Sequence, residues 1–189
     1  LVTGVQTCAL PIFLYLGTYG AIFAAKASSL DEAMTPNNIS IKPAVKTAAF
    51  KTMPIETSNA SLFIHYHQRK VIELAYNVES DNMVGVDLSI LSEHLGTPRF
   101  KVIARQEEPY NVLWAMDEQG GLNGLTYLRD QQVVGWHHHE IGGSDVLVKS
   151  IACVPGDTET ELWMIVSRTV NGSTVQYVEQ LTQYFRDDI

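Results

Sequence analysis

Apolar and polar residues alternate in short runs along this chain, and turn-forming residues separate the runs. Residues 100–105, 132–140 and 147–154 are examples of such runs. Their length and their content of β-branched and aromatic side chains predict β-strands. The main exception is DLSILSEHL at residues 87–95, where Asp87 is suited to cap a short helix. The pattern therefore predicts a mainly β chain with one short helix.

One pattern recurs about every fifty residues. It appears in SLFIHYHQRKVIELAYN (61–77), VLWAMDEQGGLNGLTYLRD (112–130) and ELWMIVSRTVNGSTVQYVEQ (161–180). Each copy has a Leu followed by an aromatic residue, then a polar turn, then a Tyr. The shared positions are Leu62, Phe63 and Tyr76, then Leu113, Trp114 and Tyr127, then Leu162, Trp163 and Tyr177. A weaker copy begins at Leu14-Tyr15. Repetition at one period predicts a repeated structural unit.

Each copy predicts a β-hairpin. The three turns are residues 67–70, residues 119–121 and the pair Asn171-Gly172. Asn-Gly is a preferred two-residue hairpin turn because both residues tolerate positive φ. The weaker copy predicts a hairpin of residues 13–17 and 21–25.

Flanking strands around each hairpin predict propeller-like blades of antiparallel strands. The blade-like units are residues 13–45, 46–98, 99–145 and 146–189, with a β-sandwich as the alternative. We expect the aromatic residue of each copy in the core between neighbouring blades, in preference to a ligand platform.

The first 25 residues carry no charge, and that length is enough to cross a bilayer. Glycines and a proline interrupt the segment, however, and it lacks the basic start of a signal peptide. The stretch VTGVQTCALPI (2–12) is similar to the translation of a common sequencing-library adapter. We therefore interpret residues 1–12 as non-native. We expect residues 13–189 to be a partial propeller domain from a metagenomic or prophage fragment, with no membrane insertion.

Composition and charge narrow the classes of function. The chain has 189 residues, 46% hydrophobic and 18% charged, as is normal for a globular protein. Its formal net charge is −8, and the 13 basic residues are scattered, with Arg69-Lys70 the one adjacent pair. A surface that grips nucleic acid needs clustered Lys and Arg, so tight binding of nucleic acid is not expected. Cys8 and Cys153 show no metal or disulfide spacing, and Cys153 lies in an apolar run that predicts burial.

The most prominent polar cluster is GWHHHE at residues 135–140. On a strand, His137 and His139 point to one face and His138 to the other. A metal site needs three or four converging ligands, and no nearby carboxylate or cysteine pattern supplies the remainder. His137 and His139 are therefore a weak candidate pair for a metal, and a solvated or blade-edge strand is the preferred interpretation. His65 and His67 share a strand face with less support still.

The sequence contains no nucleophile elbow of the form Gly-x-Ser-x-Gly. Two acidic stretches, residues 106–108 and 187–188, are favoured as turn or surface residues over general acids or bases. The glycine pairs at 120–121 and 142–143 are favoured as turns, since neither opens a helix that could hold phosphate. The sequence thus predicts neither an enzyme nor a cofactor.

Several ordered blocks of the sequence resemble the tail nozzle proteins of short-tailed bacteriophages, also called tail tubular protein B. The blocks are MTPNNIS (34–40), VIELAYNVESDNM (71–83), DLSILSEHL (87–95), residues 106–140 and residues 154–181. The most distinctive parts are GLTYLRDQQVVGWHHH (124–139) and ELWMIVSRTVNGSTVQYVE (161–179). The resemblance covers residues 13–185, and neither of these parts marks a catalytic site.

This resemblance implies a large β-rich structural subunit that contains a propeller. Six copies would assemble around the DNA ejection channel, between the portal or adaptor protein and the distal tail. Such a protein is made in the bacterial host cytoplasm and resides in the virion tail. Acidic or neutral channel walls would repel the DNA backbone, so double-stranded DNA would pass without specific binding. The alternatives are a propeller that recognises glycan or protein at the bacterial surface, and a hydrolase on a propeller scaffold.

Overall fold

Four antiparallel sheets make up the described part of the chain, which in this computed structural model comprises residues 14–27, 33–80 and 82–182. The strands are β1 (Leu14–Gly17), β2 (Ile22–Ala27), β3 (Ile39–Val45), β4 (Ile55–Glu56), β5 (Ala60–Ile64), β6 (Val71–Asn77), β7 (Asn82–Asp87), β8 (Phe100–Gln106), β9 (Val112–Asp117), β10 (Leu122–Leu128), β11 (Val133–His139), β12 (Leu147–Pro155), β13 (Thr160–Val170) and β14 (Ser173–Leu181). The prediction of a mainly β chain is confirmed.

Each sheet is built from consecutive strands. Sheet I contains β1–β3, sheet II β4–β7, sheet III β8–β11 and sheet IV β12–β14, and every pair of neighbours is antiparallel. Sequential antiparallel strands need only short connections, which is why one continuous segment supplies each sheet. The four blade-like units stay a prediction.

The hairpins predicted from the repeat are confirmed. β5 pairs with β6, β9 with β10 and β13 with β14. In the last of these, Asn171 and Gly172 have φ angles of 51° and 79°. Positive φ at both central residues is the requirement of the turn that matches strand twist, and Asn and Gly meet it at little cost. The weaker first copy also forms a hairpin, between β1 and β2.

The sheets divide between two compact units. The first unit contains sheets I and II, and the second contains sheets III and IV together with residues Gln68–Lys70 and the 3-10 helices Glu93–Gly96 and Arg129–Gln131. In the first unit, Ile22 of sheet I packs with Phe63, Ile72 and Leu74 of sheet II.

In the second unit, apolar side chains of sheet III face those of sheet IV. The buried members of this core are Val112, Trp114, Met116 and Leu122 from sheet III, and Val148, Ile151, Leu162, Met164 and Val166 from sheet IV. Leu162 and Val166 have no exposed surface. The side chains alternate along β13, so Trp163 and Ile165 lie on the opposite face of sheet IV.

The prediction of a capped helix at residues 87–95 is wrong. Asp87 is the last residue of β7 and pairs with Ile72, so it caps no helix. Two tight turns follow, in which Ser92 N–H bonds to Ser89 C=O and Leu95 N–H to Ser92 C=O. The second turn becomes the four-residue 3-10 helix Glu93–Gly96. A helix as short as residues 87–95 has little stability of its own. Its first residue, Asp87, is also unable to cap it, because Asp87 pairs within the sheet.

Some of the predictions fall on residues outside those described. These are the interpretation of residues 1–12 as an adapter-derived segment, and the acidic pair Asp187 and Asp188. Among the residues that the structure does describe, no helix has the length and apolar character needed to span a membrane.

Removal of the Leu162 side chain from the second unit's core should be strongly destabilising. We expect Leu162→Ala to lower the free energy of unfolding by about 3 kcal/mol, because it removes a buried side chain and leaves a cavity. The measurement is urea unfolding followed by tryptophan fluorescence. Ile165→Ala is the matched control: its side chain is on the opposite face and 39% exposed, so it should cost less than about 1 kcal/mol. Equal losses would contradict the assignment of the two faces.

Candidate functional site

His137 and His139 lie together on β11, an edge strand of sheet III. Their ring centroids are 4.8 Å apart, and each ring meets Trp114 edge to face, at 6.0 Å for His137 and 4.8 Å for His139. The pair therefore borders the core between sheets III and IV. His138 instead contacts Asn123, with 2.9 Å between Nδ1 and Oδ1. The predicted alternation of the three histidines is confirmed.

The neighbouring strand leaves room for this pair. Gly124 of β10 is opposite His137, and a Cβ at Gly124 would lie 2.1 Å from His137 Cε1. Any larger residue would thus displace the imidazole. Thr126, also on β10, places its Oγ1 3.3 Å from His137 Nε2. Glycine and threonine at these positions fix the orientation of the His137 ring.

The two imidazoles share a hydrogen bond of 2.6 Å between His137 Nδ1 and His139 Nε2. One nitrogen must donate and the other must accept, so at least one ring is neutral. Burial lowers the pKa of His137. Burial also lowers the pKa of His139, and the positive charges that His137 and His138 would carry lower it further. The pair is therefore neutral near pH 7 and resists protonation.

This geometry is a poor fit to a metal centre. Two nitrogen ligands of tetrahedral zinc lie about 3.4 Å apart, given zinc–nitrogen bonds of about 2.0–2.1 Å. The facing nitrogens of His137 and His139 are closer than that. Within residues 14–27, 33–80 and 82–182, no group of three or more His, Cys, Asp or Glu side chains is placed to hold a metal ion. The chemistry available to this histidine pair is protonation of an imidazole at the edge of the core.

A second polar feature, Gln106, lies deeper in the same unit. Trp114 Nε1 donates to Gln106 Oε1 at 2.9 Å, and Gln106 Nε2 donates to Thr160 C=O at 2.7 Å. Gln106 is 3% exposed and links a tryptophan of sheet III to the first residue of β13 in sheet IV. The expectation that residues 106–108 are turn or surface residues is wrong for Gln106, which ends β8 in the buried part of the sheet. Along β8, Gln106 lies two residues after Ala104 and four after Val102, so the three side chains share one face of the sheet. This spacing in the sequence could have predicted that Gln106 is buried.

The two glutamates of that stretch are exposed as expected. Glu107 forms an ion pair with Arg105 at 2.9 Å, and Glu108 lies in a turn where its C=O accepts from Thr160 N–H at 3.3 Å.

Cys153 packs partly buried against the core, and burial raises the pKa of its thiol to about 12. A thiol with that pKa is a poor nucleophile at neutral pH.

The carboxylate of Asp117 also has a structural role. It lines a shallow depression with Lys101 and Lys149, but its Oδ1 accepts hydrogen bonds of 2.8 Å from the N–H groups of Gln119 and Gly121. These bonds stabilise the β9–β10 turn.

His65 and His67, the other candidate pair, have ring centroids 5.5 Å apart, and His67 N–H donates to His65 Nδ1 at 3.2 Å.

The residues of the repeat occupy unequal environments. The leucines Leu62, Leu113 and Leu162 are all buried. Phe63 and Trp114 lie in the cores of their units, whereas Trp163 is half-buried on the far face of sheet IV, where its Nε1 donates to Glu161 at 2.8 Å. Tyr127 is buried, but Tyr76 and Tyr177 are exposed. The three copies thus share backbone pairing more closely than side-chain environment.

No model of a protein family matches this chain, and no curated protein sequence matches it.

The lowered pKa values of His137 and His139 predict that acid destabilises the second unit. Unfolded histidines titrate near pH 6.5 and bind protons more readily than the folded pair. As the pH falls below about 6.5, the free energy of unfolding should therefore decrease. We expect the double variant His137→Gln/His139→Gln to show a smaller decrease than the parent in urea unfolding between about pH 7.5 and about pH 5.5.

His94→Gln is the matched control, because His94 is an exposed histidine on the 3-10 helix Glu93–Gly96. It should leave the parent's pH dependence unchanged. A double variant with the full pH dependence of the parent would show that the pair does not couple protonation to stability.

Proposed function

We propose that this chain is a structural subunit of a phage tail: a nozzle or tail tubular protein B that lines the DNA ejection channel between the portal or adaptor and the distal tail. The observation that supports this most directly is the succession of four antiparallel sheets, each drawn from one continuous segment, with one sequence pattern recurring about every fifty residues. Repeated sheets of this kind serve as stacking units for large assemblies.

The way sheets III and IV pack favours propeller blades over a sandwich. Sheet III presents the aromatic member of its repeat, Trp114, to the shared core, whereas sheet IV presents the leucine member, Leu162. Equivalent units that stack front to back, as blades do, bring opposite faces together in this way. Sheets I and II instead bring two aromatic members together, Tyr15 and Phe63, which fits the sandwich alternative.

The outer face of sheet IV adds support for stacking on a further sheet. Val154 is 44% exposed, Ile165 39% and Val178 69%, and Trp163 lies half-buried among them. Alternation along the paired strands places all four on one face. Adjacent exposed apolar side chains on one face of a sheet are typical of an interaction site.

The polar chemistry of the described residues is consistent with a structural role. Asp117 stabilises a turn, Gln106 bridges two sheets, the thiol of Cys153 is held protonated, and His137 and His139 bond to each other. In this proposal the protein is not an enzyme and needs no cofactor. The net charge of −8 would keep passing double-stranded DNA from adhering.

Assembly and DNA affinity together test this function. The full-length protein encoded at this locus should form a closed ring of six copies in native mass spectrometry. In electron micrographs the ring should have a central channel, and a portal or adaptor gene should lie just upstream. The same ring should not retain a DNA duplex in a mobility shift at physiological salt, since phosphate binding needs clustered basic residues. A full-length protein that stays monomeric, or one that binds duplex DNA tightly, would contradict the proposal.

A second candidate function, recognition of a glycan at the bacterial surface, is favoured by one observation in the first unit. Tyr19 in the β1–β2 turn is 78% exposed, and Tyr66 after β5 is 41% exposed. Their ring centroids are 5.1 Å apart, and His67 lies 5.3 Å from Tyr66. Exposed aromatic rings grouped on loops provide a surface on which sugar rings stack.

A glycan array separates the two functions. If the aromatic group is a sugar platform, the chain should bind a defined set of bacterial glycans, and Tyr19→Ala/Tyr66→Ala should remove that binding without loss of stability, since both side chains are exposed. Tyr76→Ala is the matched control, as Tyr76 is 52% exposed on β6. An array on which the parent shows no binding would reject the second function.

A further inference from the structure

Among the described residues of the second unit, β14 has the longest strand edge that lacks a blocking feature. β14 runs for nine residues, Ser173–Leu181, and pairs with β13 in a continuous register without a bulge. It contains no proline and no lysine, and its single charged residue, Glu179, forms an ion pair with Arg168. Natural proteins block exposed edges with bulges, prolines, lysines or short strands. β14 uses none of these devices.

Five of the other described edge strands are short or blocked, and the two that are not, β7 and β11, have only six and seven residues. β1 and β4 are short, with four and two residues. β3 carries Pro43, and its pairing with β2 is irregular. β8 carries Lys101 at a register shift, and β12, also nine residues long, has a shift at Lys149 and ends at Pro155. The contrast is sharpest within sheet IV, because β12 is blocked at one edge and no described strand pairs with β14 at the other.

The turn before β14 determines which backbone groups face outward. In a two-residue turn the flanking residues, here Val170 and Ser173, form a hydrogen-bonded pair. Bonded and non-bonded pairs then alternate along the ladder. The N–H and C=O groups that point away from β13 are therefore those of Thr174, Gln176, Val178 and Gln180.

The strand is also complementary to itself. An antiparallel pairing of two copies about a two-fold axis at Tyr177, the midpoint of β14, aligns all nine residues. Tyr177 then faces its equivalent, and Val175 of one copy faces Glu179 of the other, so no like charges meet. The outward groups of the two strands would form about eight backbone hydrogen bonds. On the outer face, Val178 would lie opposite Gln176.

From these observations we propose that two copies of this chain associate through their β14 strands, which joins the two copies of sheet IV into one continuous six-stranded sheet. The occupant of the open edge is thus a second β14, in the register centred on Tyr177. Such a two-fold contact closes at two copies. It is independent of the proposed ring, which requires head-to-tail contacts, so either proposal can fail without the other.

Sedimentation velocity on the full chain tests the association. The apparent mass should double as the concentration rises. Val178→Pro removes one outward N–H in each copy without touching the bonds to β13, and should abolish the dimer. Val178→Ala keeps that N–H while removing most of the exposed side chain, and should leave the dimer intact. A chain that stays monomeric throughout overturns the proposal, as does equal loss of the dimer in both variants, which would indicate contact through the apolar face.

Disulfide trapping tests the register without relying on a proline. In a Cys8→Ser background, Tyr177→Cys should give a cross-linked dimer on mild oxidation, since directly opposed residues of a non-bonded pair are within disulfide range. Val175→Cys is the matched control on the same strand and face, and it should stay monomeric because its partner in the other copy is Glu179. Trapping at 175 but not at 177, or an assembly larger than two that Val178→Pro leaves unchanged, would overturn the proposal.

Discussion

Apolar packing between facing sheets is the interaction on which the rest of this structure depends. An antiparallel sheet satisfies its own backbone, but each of its faces needs a partner before leucine and valine side chains leave water. Leu162 and Val166 of sheet IV are completely buried because Met116 and Leu122 of sheet III share their core. The hairpins supply the sheets, and the pairing of faces gives them a defined arrangement within each unit.

The polar features of the second unit are arranged around that core. Gln106 lies inside it and satisfies both Trp114 Nε1 and a backbone carbonyl of β13, as a buried polar group must. His137 and His139 lie at its margin, where partial burial keeps them neutral and their best partner is each other. Gln106 thus links sheet III to sheet IV, whereas the two histidines bond to each other within sheet III.

The same constraint identifies the surfaces of sheet IV that no described residue covers. Sheet IV has one face against sheet III, and the face that carries Ile165 and Val178 remains exposed. Sheets II and III each have four strands, whereas sheet IV has three described strands and no described strand beyond β14. A β structure with an apolar face and an unblocked edge is suited to association, either with further sheets or with further copies. This is the physical link between the fold and the assembly roles proposed for it.

The sequence alone determined the local structure. The Asn171-Gly172 turn, the hairpins of the repeat and the alternation of His137, His138 and His139 all follow from backbone preferences within a few residues. Only the tertiary structure decided the rest. Residues 87–95 have the composition of a short helix, yet Asp87 pairs in β7 with Ile72, fifteen positions earlier in the chain. Gln106 has the sequence context of a surface residue, but in the structure it is buried and donates to a carbonyl of β13. Trp163 shares a sequence pattern with Trp114 but is less buried. These outcomes depend on which face of each sheet meets another sheet. Contacts between residues far apart in the chain set that choice, and a local pattern does not encode it.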